Sequence, residues 1–236
     1  MGIADRRECA VTIERTILKY YREISNDKVH RFRSWEHCFR YFNESTPSTI
    51  KRNKHGAAFR LGFYLASWGM YRPNGFLFKC DYSVHLNAIE VLVSPQLSTL
   101  WKGEFGMGES DSVLKNSIVG AISSLREVYE PFAKQHAGRV SDTLVTKVLL
   151  GVFGCLPACD QYFNAGFKSA QRASPKLTTK AGADSFVDQV LTFCNERRRA
   201  LCSVQGRLES SSGIRYPIMR LVDMYFWKKG QSKIGR

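Results

Sequence analysis

The chain has 236 residues, 44% hydrophobic and 24% charged, a balance that excludes general disorder and leaves room for one large core or two modest lobes. Its 35 Lys and Arg against 21 Asp and Glu leave a formal charge of +14, so nucleic acid is the first candidate partner, because a polyanion relieves that self-repulsion. Residues 1–7 carry no apolar leader and no run of about 18 apolar residues occurs, which points to a cytoplasmic protein with no membrane partner. Helical periodicity dominates from the start. Ile17, Tyr20, Tyr21 and Ile24 fall at i, i+3, i+4, i+7 and predict a helix over 11–24. A second helix over 34–42 takes Ser34 as its cap and turns Trp35, Phe39 and Phe42 inward. Residues 43–55, rich in Ser, Thr, Asn and Lys, read as a surface loop with a basic end. Residues 57–68 read as a buried helix with Ala58, Leu61, Leu65 and Trp68 on one face, stopping at Gly69. After a turn at 72–75, residues 84–93 are helical or mixed, since Val91 and Val93 favour extended structure.

The glycine-bearing run 103–108 interrupts all periodicity. We read 103–112 as a hinge between an N-terminal helical lobe, 1–102, and a C-terminal lobe, 113–236. Beyond it, Ile118, Ile122, Leu125, Tyr129 and Phe132 predict a helix over 111–135. Further helices follow over 140–153, 157–168, 183–201 and 217–228, with a basic loop at 169–180 and a Ser-Gly break at 210–213. The expected fold is all-α, with about eight helices in two lobes and a cleft between them.

The seven cysteines are scattered and odd in number, which predicts free thiols. Without a C-x-x-C motif or a second spaced pair of Cys or His, no metal is expected. Basic residues cluster at 31–33, 51–55, 168–180, 197–199 and 228–236, all at expected helix ends or loops that a phosphate backbone can reach. Arg52, Lys54, Arg72, Lys168 and Arg172 are the candidate contacts. Phe32, Tyr71, Phe167, Tyr225 and Trp227 flank these clusters and are candidates to stack on a base. The corner at 67–72 brings Trp68 and Tyr71 together as candidate walls of a base pocket.

The most informative segment is 143–163. Leu144, Val145, Val148, Leu149 and Val152 form an apolar helical stripe, and Lys147 lies off it. Gly151 and Gly154 share the side of Lys147, a bare strip of backbone that a nucleic acid can approach closely. Asp160 follows Pro157 at the start of the next helix, where the positive helix end favours a carboxylate. Each feature has a plainer explanation: a solvated lysine, a fraying helix end, a capping aspartate. Their combination is what stands out.

At these residues the chain resembles the helix-hairpin-helix DNA glycosylases, and within them is most similar to archaeal 8-oxoguanine glycosylases and bacterial antiviral glycosylases that excise modified phage bases. The resemblance implies an all-α, two-lobed hydrolase that flips a base from duplex DNA and cuts its glycosidic bond. It also implies that Lys147 attacks the sugar and that Asp160, in Asp160-Gln161-Tyr162-Phe163, supports the chemistry. Asp223, in Leu221-Val222-Asp223-Met224-Tyr225, is a second match for the aspartate. No cofactor is required by such chemistry, and a monomer suffices. The alternative is a non-catalytic nucleic-acid-binding helical protein, which the charge and the aromatics fit equally.

Overall fold

The computed structural model describes residues 3–101, 103–106, 108, 111–170, 172–173 and 175–234, with side chains from residue 12 onward, and among these described residues it has ten α-helices and four short 3-10 turns. There is no strand among the described residues. In chain order the helices are α1 (Ile3–Ser25), α2 (Ser34–Asn43), α3 (Pro47–Arg52), α4 (Lys54–Ser67), α5 (Leu86–Leu92), α6 (Asp111–Gln135), α7 (Asp142–Val152), α8 (Gln161–Ser169), α9 (Lys180–Ser212) and α10 (Ile218–Ile234). The expected all-α class is what the molecule has. Its buried side chains form one connected core, running from Ile13 in α1 to Trp227 in α10.

Several elements differ from expectation for local reasons. The polar run 43–55 is not a loop but mostly helical, holding the end of α2, all of α3 and the start of α4, because its Thr and Asn act as caps. Thr46 accepts from the Thr49 N–H, Pro47 fills the first turn, and Asn53 both ends α3 and caps α4 by accepting from the Gly56 N–H. Residues 84–93 resolve into a 3-10 turn at Tyr82–His85 followed by α5. Helix α9 runs well past the expected 183–201, since Leu201, Val204 and Leu208 keep burying one face until Gly213, at φ +68°, turns the chain. Within 103–112, Lys102's neighbour Gly103 and residues 104–106 and 108 are described, whereas Lys102, Met107, Glu109 and Ser110 lie outside the described residues. Phe105 is buried, and Asp111 at the start of α6 accepts from the Gly106 and Gly108 N–H groups at 3.0 and 3.1 Å.

Two packing features fix the region that matters below. Helices α2 and α4 reach α7 through hydrogen bonds to its backbone: Trp35 Nε1 donates to the Leu150 carbonyl at 3.0 Å and Tyr64 OH to the Lys147 carbonyl at 3.2 Å. Helices α8 and α10 cross backbone to backbone at Gly166 and Gly230, where an added Cβ would run into the carbonyls of Phe226 and Tyr162.

Candidate active site around Lys147

Helix α7 begins at Ser141, whose side chain accepts from the Leu144 N–H, and every residue from Leu144 to Val152 is buried. A helix surrounded on all sides cannot leave a lysine in water. Lys147 is therefore only 3% exposed. Its Nζ donates to the Trp68 carbonyl at the C-terminal end of α4, at 2.7 Å, and lies 5.6 Å from the centre of the Trp68 ring. Burial lowers the lysine's pKa; Asp160 and Asp223 pull it back up, and Arg72 and Arg31 add to the lowering.

Asp160 divides its carboxylate between two tasks. Oδ1 caps α8, accepting from the Tyr162 and Phe163 N–H groups at 3.0 Å each, and Oδ2 lies 4.0 Å from Lys147 Nζ. The capping role of this residue is thus present, and the same carboxylate also faces Lys147. The turn that carries it is fastened on both sides. Cys159 N–H donates to Thr146 Oγ1 at 2.9 Å, Thr143 Oγ1 donates to the Cys159 carbonyl at 2.8 Å, and Ala158 N–H donates to Asp223 Oδ1 at 3.0 Å.

Lys147 and Asp160 line a cavity of about 930 Å³. Tyr20, Phe32, Trp68, Tyr162 and Trp227 form its aromatic wall, and Trp227 joins Tyr20, Phe32 and Tyr162 with ring centres 5.3, 5.7 and 5.0 Å apart. Exposed Arg31, Arg72 and Arg139 line it as well. The arrangement combines an amine of lowered basicity, a carboxylate, flat apolar surfaces and cations. The chain matches no family model, no curated protein and no solved structure. Its chemistry is therefore read from these side chains alone.

Of the residues singled out in the sequence, the cavity gathers Lys147, Asp160, Trp68, Arg72, Phe32 and Trp227. Others lie elsewhere. Gly151 and Gly154 offer no open backbone, contrary to expectation: a Cβ at Gly151 would meet the Tyr64 ring, and one at Gly154 would meet Pro217. Gly154, at φ +61°, instead ends α7. Tyr71 does not line the cavity; its hydroxyl meets His85 Nε2 at 2.9 Å. Phe167 and Tyr225 are buried among Phe226 and Phe193, so they are core rather than stacking surface. Asp223 is 1% exposed and ion-paired with Arg220, whose guanidinium stacks against Trp35 and Trp68 at 4.9 and 4.8 Å. Burial pushes the Asp223 carboxyl up to about 6, with Arg220 pulling down and Asp160 pushing up. It stands behind the cavity wall and anchors the turn.

Among the cationic candidates, Arg52 and Lys168 are exposed, Lys54 is paired with Glu90 and Arg172 with Glu196. Sequence reasoning missed Tyr20, Tyr162 and Arg139 at the cavity. Tyr20 was legible only as a core position, and no pattern distinguished Arg139. No described helix is long and apolar enough to cross a membrane, and no group of three or more His, Cys, Asp or Glu among the described residues could hold a metal.

Proposed function

We propose that this chain is a DNA glycosylase that draws a damaged or modified base out of a duplex into the cavity and cuts its glycosidic bond. The observation that carries the reading is a buried lysine amine 4.0 Å from a carboxylate oxygen at a cavity walled by aromatic rings. Buried lysines are costly, and one with lowered basicity beside a carboxylate in a concave site is a functional candidate on physical grounds. The cavity's volume falls in the range of small-molecule pockets, roughly 300–1,000 Å³. Aromatic walls suit a base, because every base presents a flat face on which to stack. Arg31, Arg72 and Arg139 suit the phosphates on either side of it. In the same reading the cavity is the cleft between two lobes, with 103–112 as the hinge.

The chemistry follows from these groups. As the bond from C1′ to the base nitrogen lengthens, positive charge grows on the sugar and Asp160 Oδ2 opposes it. The neutral Lys147 amine forms a bond to C1′ while the base leaves with the electron pair and takes a proton from solvent. The ammonium formed at Nζ gives up a proton to solvent. The nitrogen lone pair then forms a C=N bond as the C1′–O4′ bond breaks, O4′ takes a proton from solvent, and the opened sugar is left as a protein-bound iminium. Trp68's carbonyl orients the amine before attack.

The test is base release. Purified protein is incubated with duplexes carrying uracil, oxidised purines, alkylated bases and bulky modified cytosines, and mild alkali then reveals abasic sites. The parent is expected to cut at one class, and Asp160→Asn to slow that release by at least about 10²-fold, as loss of a stabilising charge does. Asparagine retains the Oδ1 that caps α8, so fold and DNA affinity should persist. A parent that releases no base from the set, yet binds DNA, would replace this reading with that of a binding protein.

A further inference from the structure

On the outside of α4 two phenylalanines are open to solvent, Phe59 at 61% and Phe63 at 60% exposed, and the core does not account for them. They sit one helical turn apart on one face, and Tyr82 packs edge-on to Phe59 with ring centres 6.0 Å apart. The row continues to Ser67, the residue before Trp68, which begins the cavity wall. Lys51 and Arg52, both exposed, precede it at the end of α3; of the acids near by, Glu90 is ion-paired with Lys54, while Asp81 beside Tyr82 is an exposed carboxylate hydrogen-bonded by Ser83.

We infer that Phe59, Phe63 and Tyr82 form a stacking platform for unpaired bases of the strand whose neighbour occupies the Lys147 cavity. This rests on the nucleic-acid part of the proposed function but not on base removal. Four residues of helix rise about 6 Å, so Phe59 and Phe63 present two separate rings along one side of α4, each available to one base of a strand lying beside it. Bases stack on aromatic rings with little regard to sequence, and flanking cations hold the backbone. A protein partner is a poorer occupant: at 61%, 60% and 37% exposed, Phe59, Phe63 and Tyr82 leave roughly 300 Å² of ring surface to bury, well short of the roughly 600 Å² per partner of even a small stable interface.

The experiment measures anisotropy of a labelled, unmodified single-stranded oligonucleotide and of a fully paired duplex with the full-length chain. The Phe59→Ala/Phe63→Ala variant should bind the single strand about 25-fold more weakly, roughly 5-fold per ring, with its salt dependence unchanged because no phosphate contact is lost. Binding to the paired duplex should change much less. Phe59→Trp/Phe63→Trp should bind the single strand at least as tightly as the parent, which separates lost stacking from lost fold. Unchanged single-strand affinity in the alanine pair, or lost affinity in the tryptophan pair, overturns the platform. So does sedimentation showing that the parent self-associates through these rings and the alanine pair does not. All of these readouts use unmodified DNA, so they stand or fall independently of base release.

Discussion

Lys147 is buried, its Nζ donates to the Trp68 carbonyl, and burial lowers its pKa, so in the proposed glycosylase the pH profile should be set by this one residue. The attacking form is neutral, so base release should rise with pH until Lys147 is deprotonated and then level off. Lys147→Arg should remove release across the whole range, since a guanidinium stays charged. A flat profile in the parent would argue against amine attack. Asp223 makes a contrasting prediction. Asp223→Asn leaves Arg220 buried without its anion, at a cost of about 3–5 kcal/mol, so denaturant melts should show lost stability before any loss specific to chemistry. His85 adds a third. It is fully buried between the hydroxyls of Tyr71 and Tyr129, and burial lowers its pKa from 6.5 to about 4. A depressed folded pKa means the unfolded chain binds the proton first. The stability contributed is present above pH 6.5 and is lost as pH falls toward 4, amounting to roughly 2 kcal/mol at pH 5. Unfolding titrations at pH 7.5 and pH 5 should show that drop, and His85→Gln should reduce it.

At the scale of elements, the site depends on how closely α8 and α10 approach. Asp160 opens α8 and Trp227 lies on α10, so anything that parts these helices misplaces both. Gly230→Ala puts a methyl group against the Tyr162 carbonyl, a clash that no side-chain rotation relieves. It should cost about 1–3 kcal/mol of stability and lower base release together, while Gly206→Ala, where nothing lies within 4 Å, should be harmless. The long amphipathic helices were legible in the sequence because their apolar periodicity spans several turns, as in Ile118 to Phe132 of α6. Helix α3 was not, because capping by Thr46 and Asn53 uses the same residue types that mark loops. Lys147 and Asp160 stood out through their spacing along α7 and α8, but helix-wheel geometry could not tell that α7 is enclosed. For the same reason Gly151 and Gly154 were misread: which partner covers a glycine, here Tyr64 and Pro217, is a tertiary fact. Tyr20 reaches the cavity from a helix more than 120 residues away in sequence, with no local signal of that role.

The whole molecule carries +14, and that charge should govern binding more than any single contact. If about six phosphates are neutralised, affinity for duplex DNA should fall roughly 10³-fold between 50 and 200 mM salt, whereas a nearly flat response would remove the nucleic-acid reading. In the proposed reaction the amine of Lys147 meets the sugar from which a base is released. Borohydride reduction during turnover, followed by peptide mapping, tests it directly. A covalent protein–DNA adduct is expected on the peptide containing Lys147 and should be absent in Lys147→Gln. Base release with no adduct, or an adduct on any other lysine, would contradict attack by Lys147.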